Sequence, residues 1–321
     1  MKAGIASPNG VVIADVTEPK PGPTDILVRV RAVALNRADL GSARGDTSHG
    51  ASGGRPIGSE FAGDVVEAGP EVRDFKVGDR VMCHSPGSHA QFAVSDYGRA
   101  MKVPDGMNFE QAATLPIGLN TLHNALITAG RLKAGEIVMV QGASSGVGII
   151  GLQVAKLMGG RFVVGTSTNA ARRARLNEFG ADLAVDTSDP TWPEQVLKAT
   201  DGKGVNLTVD MLSGPVVSQT MQATALLGRI VNIGRLAGMK AEFDFDLHAR
   251  KRIDYLGVTF RTRTVEEVRD ILIKMRADLW DAVAAGTFKI PIDKTYKLDE
   301  AKAGHEHMRA NAHFGKILLI P

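Results

Sequence analysis

One cysteine, three tyrosines and two tryptophans are all that this 321-residue sequence holds of three side chains on which many sites are built. With Cys83 as the lone thiol, neither an internal disulfide framework nor a multi-cysteine metal site can form, which agrees with a reducing compartment. No apolar run approaches the roughly 18 residues that a membrane helix needs. The opening stretch MKAGIASPNGVVIADVTEPKPG reaches prolines and acids before an apolar segment of signal-peptide length develops, so a cytoplasmic location is expected. Neither sign of charge dominates: 38 basic and 35 acidic side chains leave a net +3. The absence of a basic run with interleaved aromatics argues against a nucleic-acid partner.

What is present is glycine, 36 residues of it, in a chain long enough for two cores. Residues 1 to about 105 read as short strands between turns: Asp25 to Ala34 (DILVRVRAVA) alternates apolar and polar, and GDVVEAG, GDRVMCHS, HAQFAVSD and AMKVPDG follow. This pattern predicts a barrel-like β domain. The loop Gly45 to Gly54 (GDTSHGASGG) reads either as a flap beside a site or as a solvated loop, and the bare prior favours the second. A helix is expected from Phe109 through Thr128. The apolar runs EIVMVQG, RFVVGT, ADLAVD, GVNLTVD and GRIVNIG then alternate with helical segments such as Ala170 to Phe179 and Pro215 to Leu226, which predicts βαβ units and a parallel sheet. After IDYLGVTF, a helix is expected from Val265 to Ala284, with Val268, Ile271, Leu272, Met275 and Leu279 on its apolar face. The closing GKILLIP reads as a strand returning to the first domain.

The strongest local signal is VMVQGASSGVGIIGLQVAK, Val138 to Lys156: a strand, a turn of small residues and a helix. Small residues let the backbone approach a pyrophosphate, whose charge is met by free N–H groups and the positive end of the helix dipole. Gly142, Ala143, Ser144, Ser145, Gly146, Val147 and Gly148 therefore form a candidate nucleotide cradle. The same residues satisfy G-x-S-x-G, which would make Ser144 a hydrolase nucleophile served by Asp210 and His248 or His305, although no oxyanion-hole glycine motif precedes it. Where NAD-binding domains carry a ribose-binding acid about 20 residues on, this chain has Ser167 and Thr168, followed by Arg172 and Arg173. Hydroxyls and guanidinium groups suit a 2′-phosphate and so NADPH; the competing reading is a solvated helix face. His305-Glu306-His307 does not make a metal helix, because residues two apart face different ways and Arg309 stands where H-E-x-x-H needs its second histidine.

From LNRADL (Leu35 to Leu40), PIGSEFAG (Pro56 to Gly63), AATLPIGLNT (Ala112 to Thr121), the GASSGVG turn, FGAD (Phe179 to Asp182), FRTRT (Phe260 to Thr264) and the terminal HFGKILLIP, the chain resembles the zinc-independent quinone oxidoreductase (zeta-crystallin-like) branch of the medium-chain dehydrogenase/reductases. The resemblance implies an α/β protein: a GroES-like β-barrel catalytic domain (1–115 and 258–321), a Rossmann doubly wound parallel-sheet cofactor domain (116–257), and an active site in the cleft. It implies Asn36 and Arg37 near the nicotinamide, and Asp39 and Glu60 as structural or ion-paired groups. Gly234 would lie under the cofactor, and Phe260, Arg261, Arg263 or the Gly315-Lys316 turn would reach it. It also implies a homodimer through an edge strand near Ile253 to Val258. Zinc-bearing relatives carry a cysteine where Asn36 or its neighbours stand and a histidine where Ser59 stands, so no metal is expected. The tyrosine that many members place a few residues after the asparagine is missing: Gly41 and Thr47 stand in that region, and the first tyrosine is Tyr97.

Without a Lewis acid to hold an alkoxide, reduction of an already electron-poor small-molecule acceptor is favoured over alcohol oxidation. The leading expectation is an NADPH:quinone reductase. An enone or enoyl-thioester reductase on the same fold, a non-catalytic NADPH-binding protein and, more weakly, the serine hydrolase stand beside it.

Overall fold

A computed structural model describes residues 1–45 and 54–321, which divide into two compact units: Met1–Ile117 with Arg261–Pro321, and Gly118–Phe260. Residues 46–53, including Thr47 and most of the expected flap, lie outside the described residues. No helix among the described residues is long and apolar enough to cross a membrane.

The second unit is built on a six-stranded sheet ordered Leu183–Val185, Phe162–Thr166, Ile137–Val140, Val205–Asp210, Thr224–Asn232, Asp254–Gly257. Every neighbouring pair is parallel. Parallel strands joined by helical crossovers are covered on both faces, hence the unbroken apolar runs of the sequence. All four residues of Ile137–Val140 are buried, and Met139, Val164, Val205 and Trp192 share one core. Chain order reverses between Ile137–Val140 and Val205–Asp210, the switch point at which open α/β sheets bind ligands.

In the first unit a seven-stranded sheet runs Ile292–Lys297, Lys316–Ile320, Asp25–Ala34, Phe61–Ala68, Arg80–Cys83, Ala100–Lys102, with Phe92–Asp96 pairing Asp25–Ala34 off that path. Lys316–Ile320 does return to the first unit, antiparallel to Val33 and Ala34. Its buried face joins Ile26, Val28, Phe61, Val81 and Leu319 in one core. Helix Val265–Ala284 opens on a capping box between Thr264 and Glu267 and buries all five residues of the expected apolar face.

Three helices are shorter than the sequence pattern predicts. The stretch from Phe109 breaks into Phe109–Ala113 and Pro116–His123, because Pro116 has no N–H to donate and disfavours helical backbone at Leu115. It ends in a widened turn, Asn124–Ala129, closed by Gly130 N–H on the Ala125 carbonyl at 2.9 Å. The expected Ala170 to Phe179 helix is a single turn, Ala170–Arg173, and a tighter turn, Leu176–Phe179, that ends on Gly180 at φ 102°. Pro215 to Leu226 is helical only over Val217–Ala223, whose end is sealed by Lys251 Nζ donating to the carbonyls of Met221, Gln222 and Thr224.

Candidate functional site

In the second unit the chain leaves Ile137–Val140 and turns at Gly142 (φ 70°) into helix Gly146–Leu157. Ser145 caps the helix, its Oγ accepting from Gly148 N–H at 3.0 Å while donating to the Gly142 carbonyl at 2.9 Å. A Cβ on Gly148 would lie 2.5 Å from the Gly142 carbonyl oxygen and 2.7 Å from the Ala143 Cα, so only glycine lets helix and turn close this tightly. The amides of Gly146 and Val147, in the first helical turn, have no intrahelical acceptor and carry the positive end of the dipole. Such a cradle fits a pyrophosphate.

Beside it Ser167, buried, donates to Ser144 Oγ at 3.0 Å, and Thr168 is exposed. Arg173 is already engaged: Nη1 donates to the Ser167 carbonyl at 2.8 Å and to Asp186 at 2.9 Å, so it braces the turn. Arg172 lies in the same turn of helix.

At the carboxyl end of Val205–Asp210, the buried Asp210 accepts from the amides of Leu212 (2.8 Å) and Ser213 (2.9 Å), and burial raises its pKa. Ser213 Oγ donates to the Gly234 carbonyl at 2.8 Å, and Asn232 Nδ2 donates to Ser213 Oγ and to Gly234. Gly234 leaves no room for a side chain, since a Cβ there would meet the Met211 carbonyl at 2.7 Å. Asp210 thus holds a loop, Ser144 pairs with Ser167, and His248 packs on Phe243; the hydrolase triad does not assemble.

In the first unit a buried polar network lies where the sequence reading put its catalytic pair. Lys316 Nζ donates to Glu60 Oε2 at 2.5 Å and Asn36 Oδ1 at 2.8 Å, with the lysine 2% and the glutamate 0% exposed. Asn36 Nδ2 donates to Glu60 Oε2 at 3.0 Å and to the Ala34 carbonyl at 3.2 Å, and Glu60 Oε1 accepts from Ile117 N–H at 2.7 Å. Asp39 accepts from Asn36 N–H at 2.8 Å and from Ser59 Oγ at 3.2 Å, and burial pushes its pKa up to about 7. Asp39 and Glu60 therefore are the paired, network-forming groups that the resemblance implies.

Two expected roles are corrected. Lys316 does not reach for a phosphate: its ammonium is turned into the core of the first unit, because Glu60 would otherwise be a buried carboxylate without a cation. Arg37 is spent on a helix end, Nη1 donating to the Met308 carbonyl at 3.0 Å and Nη2 to Asn311 Oδ1, below helix Ala301–Arg309. Asn36 has both amide hydrogens committed, to Glu60 and to the Ala34 carbonyl, so its side chain can only accept. Phe260 closes the second unit and Arg261 opens the returning piece of the first. His305 and His307 face apart: His305 packs on His89, whereas His307 Nδ1 meets the Tyr296 hydroxyl at 3.1 Å and its Nε2 lies 3.3 Å from Asp293. Among the described residues no group of three or more His, Cys, Asp or Glu is placed to hold a metal. His89 went unremarked in the sequence, since no motif marks it.

One unit is a nucleotide-type parallel sheet, and the other is a β unit closed by the strand Lys316–Ile320. Residues 22–116 match the alcohol dehydrogenase GroES-like domain and residues 146–275 the zinc-binding dehydrogenase model. The quinone oxidoreductase of Pseudomonas aeruginosa is 28% identical over 99% of this chain and 98% of its own length. A mycobacterial structure complexed with NADPH is 25% identical, with a TM-score of 0.89 over 100% of both chains. A mycocerosic acid synthase-like polyketide synthase of Mycolicibacterium smegmatis is 29% identical over 93% of this chain, which spans only 14% of the synthase. The chain carries both domain models of the medium-chain dehydrogenase/reductase superfamily, to which it belongs, and is similar to quinone oxidoreductases along its whole length.

Proposed function

We propose that the chain is an NADPH-dependent reductase that passes hydride to a quinone or a similar electron-poor acceptor without zinc. The observation that carries this reading is the engagement of the two positions where zinc-bearing relatives hold ligands: Asn36 is tied to Lys316 and Glu60, and Ser59 to Asp39. Cys83 is no substitute, because burial pushes its thiol up to about 12. With no metal-holding group among the described residues to stabilise an alkoxide, an acceptor that already welcomes hydride is the substrate that fits. Steady-state rates with 9,10-phenanthrenequinone, 1,4-benzoquinone, an enone, an enoyl thioester and a set of alcohols test it, together with elemental analysis. Quinone turnover that survives chelators is expected. Alcohol oxidation with no quinone turnover, or one essential zinc per chain, overturns the reading.

The likeness to polyketide synthases supports a second reading, an enoyl-thioester reductase, which preference for the thioester in that panel would select.

NADPH is favoured over NADH by the hydroxyls of Ser144 and Ser167 at the turn and by Arg172, with no carboxylate at the end of Phe162–Thr166 to repel a 2′-phosphate. Thr168, Gly234, Phe260 and Arg261 complete the proposed cofactor contacts. Because Arg173 is held by Asp186, the single Arg172→Ala variant carries the test. It is expected to lose roughly tenfold or more in NADPH affinity with little change for NADH, measured by fluorescence titration. Equal wild-type affinities for the two nucleotides sink this assignment. We further propose a cytoplasmic homodimer pairing along Asp254–Gly257, the open edge of the parallel sheet.

A further inference from the structure

A row of polar and titratable groups runs inward from Ser59, and the reading above gives none of them a part in the chemistry. Ser59 is half-buried and its hydroxyl donates to Asp39 Oδ1 at 3.2 Å. Asp39 is 2% exposed, and its other oxygen, held by Asn36 N–H, lies 3.7 Å from His89 Nε2. His89 is 0% exposed, and both its ring nitrogens lack a hydrogen-bond partner among the described residues. Behind it the ring of His305, equally without partners and 3% exposed, meets His89 edge-on at 5.3 Å between centroids. Four buried ring nitrogens without partners beside a buried carboxyl carry a desolvation cost and keep that carboxyl in a low-dielectric pocket.

We propose that Ser59 is a catalytic proton donor, recharged by Asp39, for the acceptor once hydride has been received. The proposal rests on the reductase reading. Hydride from the reduced nicotinamide brings two electrons and one hydrogen, leaving the acceptor as an oxyanion. That oxygen takes the proton of Ser59 Oγ. With Asp39 protonated, the Ser59–Asp39 bond runs the other way, the carboxylic O–H donating to Oγ and freeing the serine hydrogen for the acceptor. As that hydrogen leaves, Oγ takes the Asp39 proton, and Asp39 becomes a carboxylate. Solvent returns one proton through the same hydroxyl after product release, so the balance is acceptor plus hydride plus proton to reduced acceptor. The missing tyrosine no longer leaves the acceptor oxygen without a donor: Asn36 cannot donate to it, and Ser59 can once a protonated Asp39 donates to Oγ.

The groups facing Asp39 set when it holds its proton. Burial raises its pKa most; Asn36 N–H, Ser59 and the Lys316 ammonium pull it back; the Glu60 carboxylate raises it slightly. Burial holds the pKa of His89 well below its ordinary value, and His305, which also faces Arg309, is lowered to about 4, so neither histidine is a cation that would strip the proton from Asp39. With a value of about 7, Asp39 is an acid on the low side of neutrality and a carboxylate above it.

Two measurements decide the matter. Infrared titration of the nucleotide-free protein is expected to show a protonated carboxyl band that disappears as pH rises through about 7 and is absent from Asp39→Asn. Quinone turnover at saturating acceptor is expected to fall over the same interval. Ser59→Ala is expected to lower it by about 10²-fold and flatten its pH dependence, with NADPH affinity unchanged, while Ser59→Thr keeps rate and profile. A band titrating in the ordinary carboxylate range, or Ser59→Ala with wild-type rate and profile, overturns the relay. Wild-type protein that reduces no quinone or enone overturns instead the reductase reading, whatever the infrared titration gives.

Discussion

Replacing Lys316 by methionine is expected to destabilise the protein by about 3–5 kcal/mol, the penalty of leaving a buried charge without its partner. Methionine matches the lysine stem in length and fills the same space, so packing is nearly preserved and the change is electrostatic. What remains is Glu60, 0% exposed, with only neutral donors, the Ile117 amide and the Asn36 side chain, around its carboxylate. Each 1 kcal/mol shifts the unfolding midpoint by roughly 2–4 °C in a domain of this size, so a fall on the order of 10 °C is expected in a thermal scan. Adding Glu60→Gln removes the orphaned charge, and the double variant should recover most of the loss, since a buried ion pair contributes little beyond its neutral replacement. A single variant within about 0.5 kcal/mol of wild type contradicts this account. So does a double variant no better than the single one.

The network explains why the outline of the fold was readable while part of the site was not. Periodicity carries the apolar face of Val265–Ala284, and an unbroken IVMV carries a strand covered on both faces; both are local signals, and both structures follow. The ends of helices were misjudged where a distant or proline contact decides them: Lys251 seals Val217–Ala223 from about 30 residues away. Lys316 was misread for a related reason. A lysine beside a glycine invites a phosphate, yet in the run KILLI it is the strand's first residue and points inward, because Glu60 waits 256 positions earlier in the chain. His89 gave no signal, because a histidine between serine and alanine carries no spacing. The glycine turn was legible because its requirement for small residues is local and steric.

That steric requirement makes the other large effect. Gly148→Ala places a methyl 2.5 Å from the Gly142 carbonyl oxygen and 2.7 Å from the Ala143 Cα. Both are backbone atoms, so no side chain can swing aside to relieve the clash. Either the turn lifts off the helix or the first helical turn unwinds. In the first case Ser145 Oγ loses Gly148 N–H, its capping partner at 3.0 Å, and in the second the amides of Gly146 and Val147 no longer converge. Both outcomes spoil an anion cradle that depends on fixed N–H directions, so NADPH affinity should fall at least about a hundredfold, near 3 kcal/mol. Stability should suffer less, by about 1–2 kcal/mol, because the loss of one cap and a local shift leave the core beneath the turn intact. Fluorescence titration of NADPH beside urea unfolding separates the two quantities. Wild-type NADPH affinity in a folded Gly148→Ala protein would show that the nucleotide does not rest on this turn.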